Sequence, residues 1–295
     1  MSFSQRSEHR FAGHGALFLA AVFWSTSGLF IKLLDWHPMV IAGSRSFLAA
    51  IFLIVVRQIL PPPKDAKNPP APLWIGAVLM SLTMFSFVLA NRLTTSANVI
   101  MLQYSAPVWA ALLGWILIKE KPHWEHWGAL VMVFTGLALF FRDGLDSGHF
   151  LGNALSVASG MAFGGHFVFM RMMKNGNPRD CLLLSHIITA VASVPFFFLF
   201  PPVLDASSVF YITFLGFIQS GAPSLFFAYG IKRVAAVQGI LITTAEPILN
   251  PVWVLIVTGE KPSMTALAGG AIIITAVVAS SVIGARYRTA PKVQT

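Results

Sequence analysis

Charge is what this chain has least of. Only 11% of its 295 residues are charged, against 56% hydrophobic ones, and its mean hydropathy is +0.73. Soluble domains carry about 25% charged residues, so a water-soluble globular fold is excluded. A single cysteine, Cys181, excludes an internal disulfide and a cysteine metal cluster. No P-loop occurs, which argues against ATP as an energy source. All six Asp residues fall in or beside loops, which argues against an aspartyl intramembrane protease. No lysine falls in mid-span, which argues against a retinal protein. No Asn-x-Ser/Thr acceptor occurs, in keeping with a bacterial inner membrane.

What remains is hydrocarbon-length sequence. Apolar runs of about 20 residues suit helices that cross a bilayer, whereas barrel strands would alternate over roughly 10 residues. Ten spans are predicted, near 14–34, 38–60, 72–91, 95–118, 123–141, 150–173, 180–200, 208–231, 235–258 and 263–285. The basic, then apolar, N-terminal stretch reads as the first span, not a cleaved signal, because nine further candidates follow. The longest linker, PPPKDAKNPP at 61–70, is a solvated loop.

The chain repeats itself. TSANVIMLQYSAPVWAALLGWILIKEKP (95–122) and AAVQGILITTAEPILNPVWVLIVTGEKP (235–262) align at an offset of 140, placing Pro107 on Pro247 and Glu120-Lys121-Pro122 on Glu260-Lys261-Pro262. At the same offset Gly76 meets Gly216, Phe87 meets Phe227 and Pro38 meets Pro178; at 139, Trp24 meets Phe163. Two domains follow, 1–142 (spans 1–5) and 143–295 (spans 6–10). Five spans per copy force the second copy to enter from the opposite face, an inverted repeat. Proline removes a backbone donor and clashes with the preceding turn, so Pro107, Pro247 and Pro251 are expected hinges. Pro-interrupted segments at matching places in two halves point to a transporter's binding site.

The net charge of +9 is explained by topology, so no nucleic-acid partner is expected. With the N-terminus in the cytoplasm, fifteen Lys and Arg fall inside and four (Lys32, Arg92, Arg142, Lys261) outside, while Arg45 lies within a span. The positive-inside rule then predicts a multi-pass plasma (inner) membrane protein with both termini cytoplasmic.

These features together resemble the EamA branch of the drug/metabolite transporter superfamily. The residues that carry the resemblance are the repeat, Trp24-Ser25-Thr26 in span 1, Arg45-Ser46-Phe47 in span 2, and the proline-then-Glu-Lys-Pro endings of spans 4 and 9. The Trp-Ser-Thr step and aromatic richness most resemble the bacterial aromatic amino-acid exporters. The resemblance implies an all-α polytopic fold of ten helices around a central cavity lined by spans 1, 3, 4, 6, 8 and 9. It implies a secondary-type transporter, not an enzyme, that exports aromatic and other apolar amino acids and related small metabolites by alternating access. A broad-specificity drug/metabolite exporter is the rival reading, and an intramembrane enzyme the remote one. No cofactor is expected; the partners are a small-molecule substrate and the lipid bilayer. The second half departs from the first at Ser185-His186, which has no counterpart of Arg45.

Substrate binding is expected at Trp24, Ser27, Phe85, Asn98, Met101, Tyr104, Phe163, His166, Phe227, Tyr229, Gln238, Thr243 and Glu246. Glu246 is the only acid deep inside a span. Its readings are a substrate-amine or proton site, and a hydrogen-bonded support for the break before Pro247. Arg45 has two readings: capture of a substrate carboxylate, or snorkelling to outer headgroups or pairing with a carbonyl. The peripheral place of span 2 in the resembling fold favours the second. Trp24 sits near midplane, far from either aromatic belt, where a buried indole needs a partner. Amides such as Asn98, Gln103 and Gln238 either bond a substrate's polar head or repair backbone freed by the prolines. His166 reads as a packed hydrogen-bonder before a relay. His123-x-x-His126 lacks zincin spacing and, beside Trp124 and Trp127, reads as an interfacial anchor, so no metal is expected. Ala276, Ser280 and Gly284 form a small-residue stripe on span 10, a homodimer face or internal packing.

Overall fold

The computed structural model describes residues 3–62, 69–119, 149–173, 177–230 and 245–289, with Thr243 and scattered positions from 128 to 139. Every regular element among the described residues is a helix. Span 1 is two helices, α1 (Phe3–Ser25) and α2 (Ser27–Leu33). Spans 2 and 3 are α3 (Pro38–Ile59) and α4 (Pro70–Leu93). Span 4 is again double, α5 (Ser96–Gln103) and α6 (Ala106–Ile118). Spans 6 and 7 are α7 (Phe150–Met172) and α8 (Pro178–Leu199). Span 8 is α9 (Ala206–Thr213), a π-helix (Phe214–Gly221) and α10 (Ala222–Gly230). The described parts of spans 9 and 10 are α11 (Ala245–Thr258) and α12 (Met264–Thr289). Most of span 5, with His123 and His126, lies outside the described residues.

Six stretches among these residues are long and apolar enough to cross a membrane: Ala12–Leu33, Pro38–Ile59, Pro70–Leu93, Ser96–Ile118, Pro178–Leu199 and Ala206–Gly230. Their outward faces carry large bare side chains, with Phe198 83% and Ile59 71% exposed. Such surface is an aggregation hazard in water and a lipid contact in a bilayer. Span 6 is of a different kind. Its Asn153, Ser156, Ser159 and His166 are all buried, and it packs against spans 3 and 4. The protein is thus an all-α polytopic membrane protein, with the polar face of span 6 packed against spans 3 and 4 while Leu151 and Met161 stay exposed.

The repeat returns in the backbone. His37 and Asn177, 140 residues apart, each cap a helix whose next residue is proline, accepting from Met39 N at 3.3 Å and from Arg179 N at 3.4 Å. Spans 4 and 9 end on Lys119 (φ 59°) and Gly259 (φ 72°), also 140 apart and both left-handed. Glycine takes that conformation freely, whereas a side chain makes it costly.

The helix breaks follow local hydrogen bonding. In span 1, Ser25 Oγ donates to Val22 O at 2.6 Å and Thr26 Oγ1 to Phe23 O at 2.7 Å. Hydroxyls that compete for the preceding carbonyls bend helices, so the polar step is where the span divides. In span 4 the break falls at Tyr104-Ser105, and Pro107 is the second residue of the helix that follows. There its missing N–H needs no partner. Span 9 runs as helix through Pro251, with Pro247 in its first described turn.

Spans 4 and 6 meet closely at Gly164. A Cβ there would stand 2.6 Å from Ala106 O and 2.8 Å from Ala110 N, closer than any side chain tolerates. The two ends of the bundle are tied by charge. At one, Lys32 Nζ pairs with Glu260 Oε2 at 2.9 Å and donates to Thr94 O at 3.2 Å. Glu260 Oε1 accepts from Ser96 N at 2.8 Å. Arg92 donates to Trp36 O at 2.9 Å. At the other end Arg57 pairs with Asp180, and Arg179 donates to Leu60 O at 3.2 Å.

Candidate functional site

A cavity of about 100 Å³ lies between the two halves. Its walls come from both repeats and from eight spans, 1–4 and 6–9. Spans 2 and 7, peripheral by resemblance, therefore contribute directly.

One wall is aromatic. Trp24 and Phe227 lie 5.4 Å apart between ring centroids, Phe167 and Phe227 5.9 Å, and Phe163 and Phe167 4.9 Å. Met80 and Met84 add deformable thioether surface. The polar lining is spread around this wall. Gln103 donates to Ser159 Oγ at 2.8 Å, and Ser159 donates on to Thr83 O at 3.1 Å. Gln219 and Ser220 stand on the π-helix, and Ser224 one turn beyond. A π-helix re-aims side chains that an α-helix would turn elsewhere, and such segments concentrate at functional sites. His166 Nδ1 donates to Gly76 O at 2.8 Å, which leaves Nε2 as its free acceptor.

Two ionisable side chains line the cavity from separate helix sets. Glu246 belongs to span 9, which packs on spans 1 and 4. Tyr104 Oη contacts Glu246 Oε2 at 3.1 Å and donates to Thr243 O. Arg45 belongs to span 2, which packs on span 7 and on the π-helix of span 8. Arg45 is only 6% exposed, so it does not snorkel to headgroups. It forms no ion pair or hydrogen bond, to a carbonyl or otherwise, among the described residues. Helical burial places it here: span 2 turns Gly43 onto Ser193 and Phe197 of span 7, and Arg45 follows on the inward side. Buried polar atoms without partners gather nearby: Ser27 Oγ and His186 Nδ1 in the lining, and both side-chain atoms of Asn250. Asn250 sits against Gly28, where a Cβ would come within 2.7 Å of its Oδ1.

Six of the expected residues therefore line the cavity together: Trp24, Ser27, Phe163, His166, Phe227 and Glu246. Tyr104 and Thr243 stand one layer behind, holding Glu246. The others lie elsewhere. Asn98 donates to Thr94 Oγ1 at 3.1 Å and Asn153 Oδ1 at 3.2 Å, stitching span 4 to span 6. Met101 packs on Gly270 of span 10, and Phe85 packs against the apolar core. Tyr229 is 39% exposed and not in the lining. Gln238 lies outside the described residues, as do the side chains of Pro107, Pro247 and Pro251. Ala276 is buried inside the subunit, while Ser280 and Gly284 side chains are beyond those described. The lining also includes His186, Gln219 and Ser220, which no expectation assigned to binding, and Arg45, whose carboxylate reading was the less favoured one. Their signal was available: each is a polar residue inside an apolar span.

Comparison with known proteins agrees with this architecture. An uncharacterized transporter of Archaeoglobus fulgidus is 26% identical over 90% of this chain and 95% of its own. The uncharacterized transporter YwfM of Bacillus subtilis is 25% identical over 92% and 94%. Human solute carrier family 35 member G1 is 27% identical over 52% of this chain and 46% of its own. A solved crystal structure superposes with a TM-score of 0.67 over 94% of this chain and 99% of that chain, at 19% identity, a likeness of fold alone. The sequence signature of EamA-like transporters matches twice, over residues 11–142 and 150–282. With two copies of that signature and ten predicted spans, the chain belongs to the EamA-like transporter family.

Proposed function

We propose that this membrane transporter exports amino acids, aromatic and apolar ones foremost, together with related amphipathic metabolites, by alternating access of its two repeats. The observation that carries the reading is the cavity itself, in which an aromatic wall and polar groups from both repeats surround one space. Large adaptable apolar walls with few polar groups suit ligands that share a polar head and vary in side chain. The inverted repeat supplies the motion, because two halves of opposite orientation rock about a site at their interface. The charge bias supports an inner membrane location with cytoplasmic termini. Under that orientation the Lys32–Glu260–Ser96 cluster closes the outer end.

Trp24 tests this reading. Trp24→Ala removes the ring that faces Phe227, so transport of phenylalanine and tryptophan falls more than transport of alanine in proteoliposomes. An equal loss for all three makes Trp24 a packing residue and withdraws the aromatic preference. Met80 and Met84 favour the wider reading, a drug/metabolite exporter, which cationic drugs in the same panel examine.

A further inference from the structure

We infer that Arg45 is the anchor for a carboxylate on the cargo, an inference that rests on the amino-acid reading for the identity of the cargo but not for the presence of the carboxylate. A charged side chain inside a bilayer ordinarily pairs with another group. Arg45 is buried, lines the cavity, and has no hydrogen-bond or ion-pair partner among the described residues. Its planar fork of donors matches a carboxylate in two parallel hydrogen bonds. An unpartnered guanidinium that faces an internal cavity is a site whose partner arrives with the ligand.

The surroundings agree. His186, on the packed span 7, lines the same cavity with a buried Nδ1 that meets no partner. It stands 141 positions after Arg45, the counterpart region in the second repeat. Gln219 and Ser220 come from the π-helix, against which span 2 also packs. Gly216 of that π-helix has Arg45 O 3.2 Å from the position of a Cβ, so the two backbones are in close approach. This side of the cavity therefore offers donors. Glu246 lies on the other helix set, spans 1, 4 and 9, and has no basic partner among the described residues. A cargo with a carboxylate and an amine at one end and a ring at the other thus places the carboxylate toward spans 2 and 7, the amine toward span 9, and the ring on Trp24 and Phe227. The two helix sets, each drawn from both repeats, then each hold one pole of the cargo.

Binding to the purified full-length protein in detergent, by titration calorimetry, tests the inference with four probes: phenylalanine, 3-phenylpropanoate (no amine), 2-phenylethylamine (no carboxylate) and octanoate (neither ring nor amine). In the unaltered protein the carboxylate-bearing aromatic ligands bind about tenfold or more tightly than 2-phenylethylamine, the range for a charged hydrogen bond. Arg45→Met lowers phenylalanine and 3-phenylpropanoate by about 10- to 100-fold and leaves 2-phenylethylamine unchanged. Arg45→Lys keeps charge without the fork and falls between. If Arg45→Met does not fold, Arg45→Gln, Arg45→Lys and the ligand ladder of the unaltered protein decide. Octanoate binding that Arg45→Met abolishes, without phenylalanine binding, upholds the anchor and withdraws the amino-acid reading. Amines that bind as tightly as phenylalanine, or an equal loss of every probe in Arg45→Met, overturn the anchor and leave the amphipathic cargo standing. Binding of none of the four overturns both.

Discussion

Gly164 is where, among the described glycines, a Cβ would come closest to backbone of the other half, and alanine there examines that approach directly. A Cβ would stand 2.6 Å from Ala106 O, 2.8 Å from Ala110 N and 2.9 Å from Trp109 Cβ, all under the 3.0 Å that real contacts keep. Two of the three atoms are backbone and cannot rotate away. Span 6 must therefore draw back from span 4 by several tenths of an ångström. Overpacking of this kind costs about 1–3 kcal/mol, and the gain in helix propensity from glycine to alanine returns at most about 1 kcal/mol. The net loss is about 1–2 kcal/mol, or roughly 2–8 °C of thermal midpoint. Gly15 is the control. It is exposed in span 1, with nothing within 4 Å of its would-be Cβ, so Gly15→Ala is neutral or stabilises. Cys181, the only cysteine and fully buried, supplies the reporter: a thiol-reactive dye lights up only on unfolding. The displacement also reaches function, because span 6 carries Phe163, His166 and Phe167 into the cavity. Gly164→Ala with a midpoint at or above that of Gly15→Ala refutes the close approach of spans 4 and 6.

Further expectations follow from single contacts. Tyr104→Phe removes the hydroxyl that meets Glu246 and Thr243 O, costs about 1–3 kcal/mol by dye-monitored melting, and lowers transport rate; an unchanged rate means Glu246 needs no positioning. Lys119→Gly relieves a left-handed residue and raises stability by up to about 1–2 kcal/mol, as Gly259 already does in the other repeat; a loss would mean the Lys119 side chain has a stabilising contact of its own. Lys32→Met breaks the pair with Glu260, worth at most about 1 kcal/mol at this exposure, and increases labelling of a cysteine placed at Ser27 in a Cys181-free background; unaltered labelling removes the pair from closure of that end. Burial, and then the Arg92 guanidinium, holds His37 below its usual 6.5. Its neutral ring caps span 2, so this contribution is present above pH 6.5 and is lost as pH falls through the depressed folded value. The protection factor of the Met39 amide, its exchange rate relative to the intrinsic rate at each pH, should fall on acidification and stay flat in His37→Asn; a fall in both excludes His37 as the cause.

The repeat was legible in the sequence because it rests on punctuation. His37-Pro38 and Asn177-Pro178 both open a span, and Lys119 and Gly259 both close one, 140 residues apart. Trp24, Phe163 and Phe227 were legible as cavity residues because depth along a helix follows from counting. Facing was not legible. In a bilayer the lipid face and the packing face are both apolar, so periodicity does not tell them apart. Met101 and Phe85 are at suitable depth yet turn into helix packing, while Arg45 turns inward. Nor do prolines mark breaks directly. Pro107 sits just inside the second half-helix of span 4, and hydroxyls, not proline, divide span 1. The π-helix that presents Gln219 and Ser220 is an arrangement of backbone hydrogen bonds with no residue of its own to announce it.

Counterflow in proteoliposomes reaches the central claim most directly. Vesicles holding the purified protein and unlabelled phenylalanine should accumulate labelled phenylalanine from outside, transiently and without ATP. External leucine and tryptophan should compete, and 2-phenylethylamine should compete less than 3-phenylpropanoate. No accumulation for any amino acid, by protein whose Cys181 stays protected from the dye, would contradict the account.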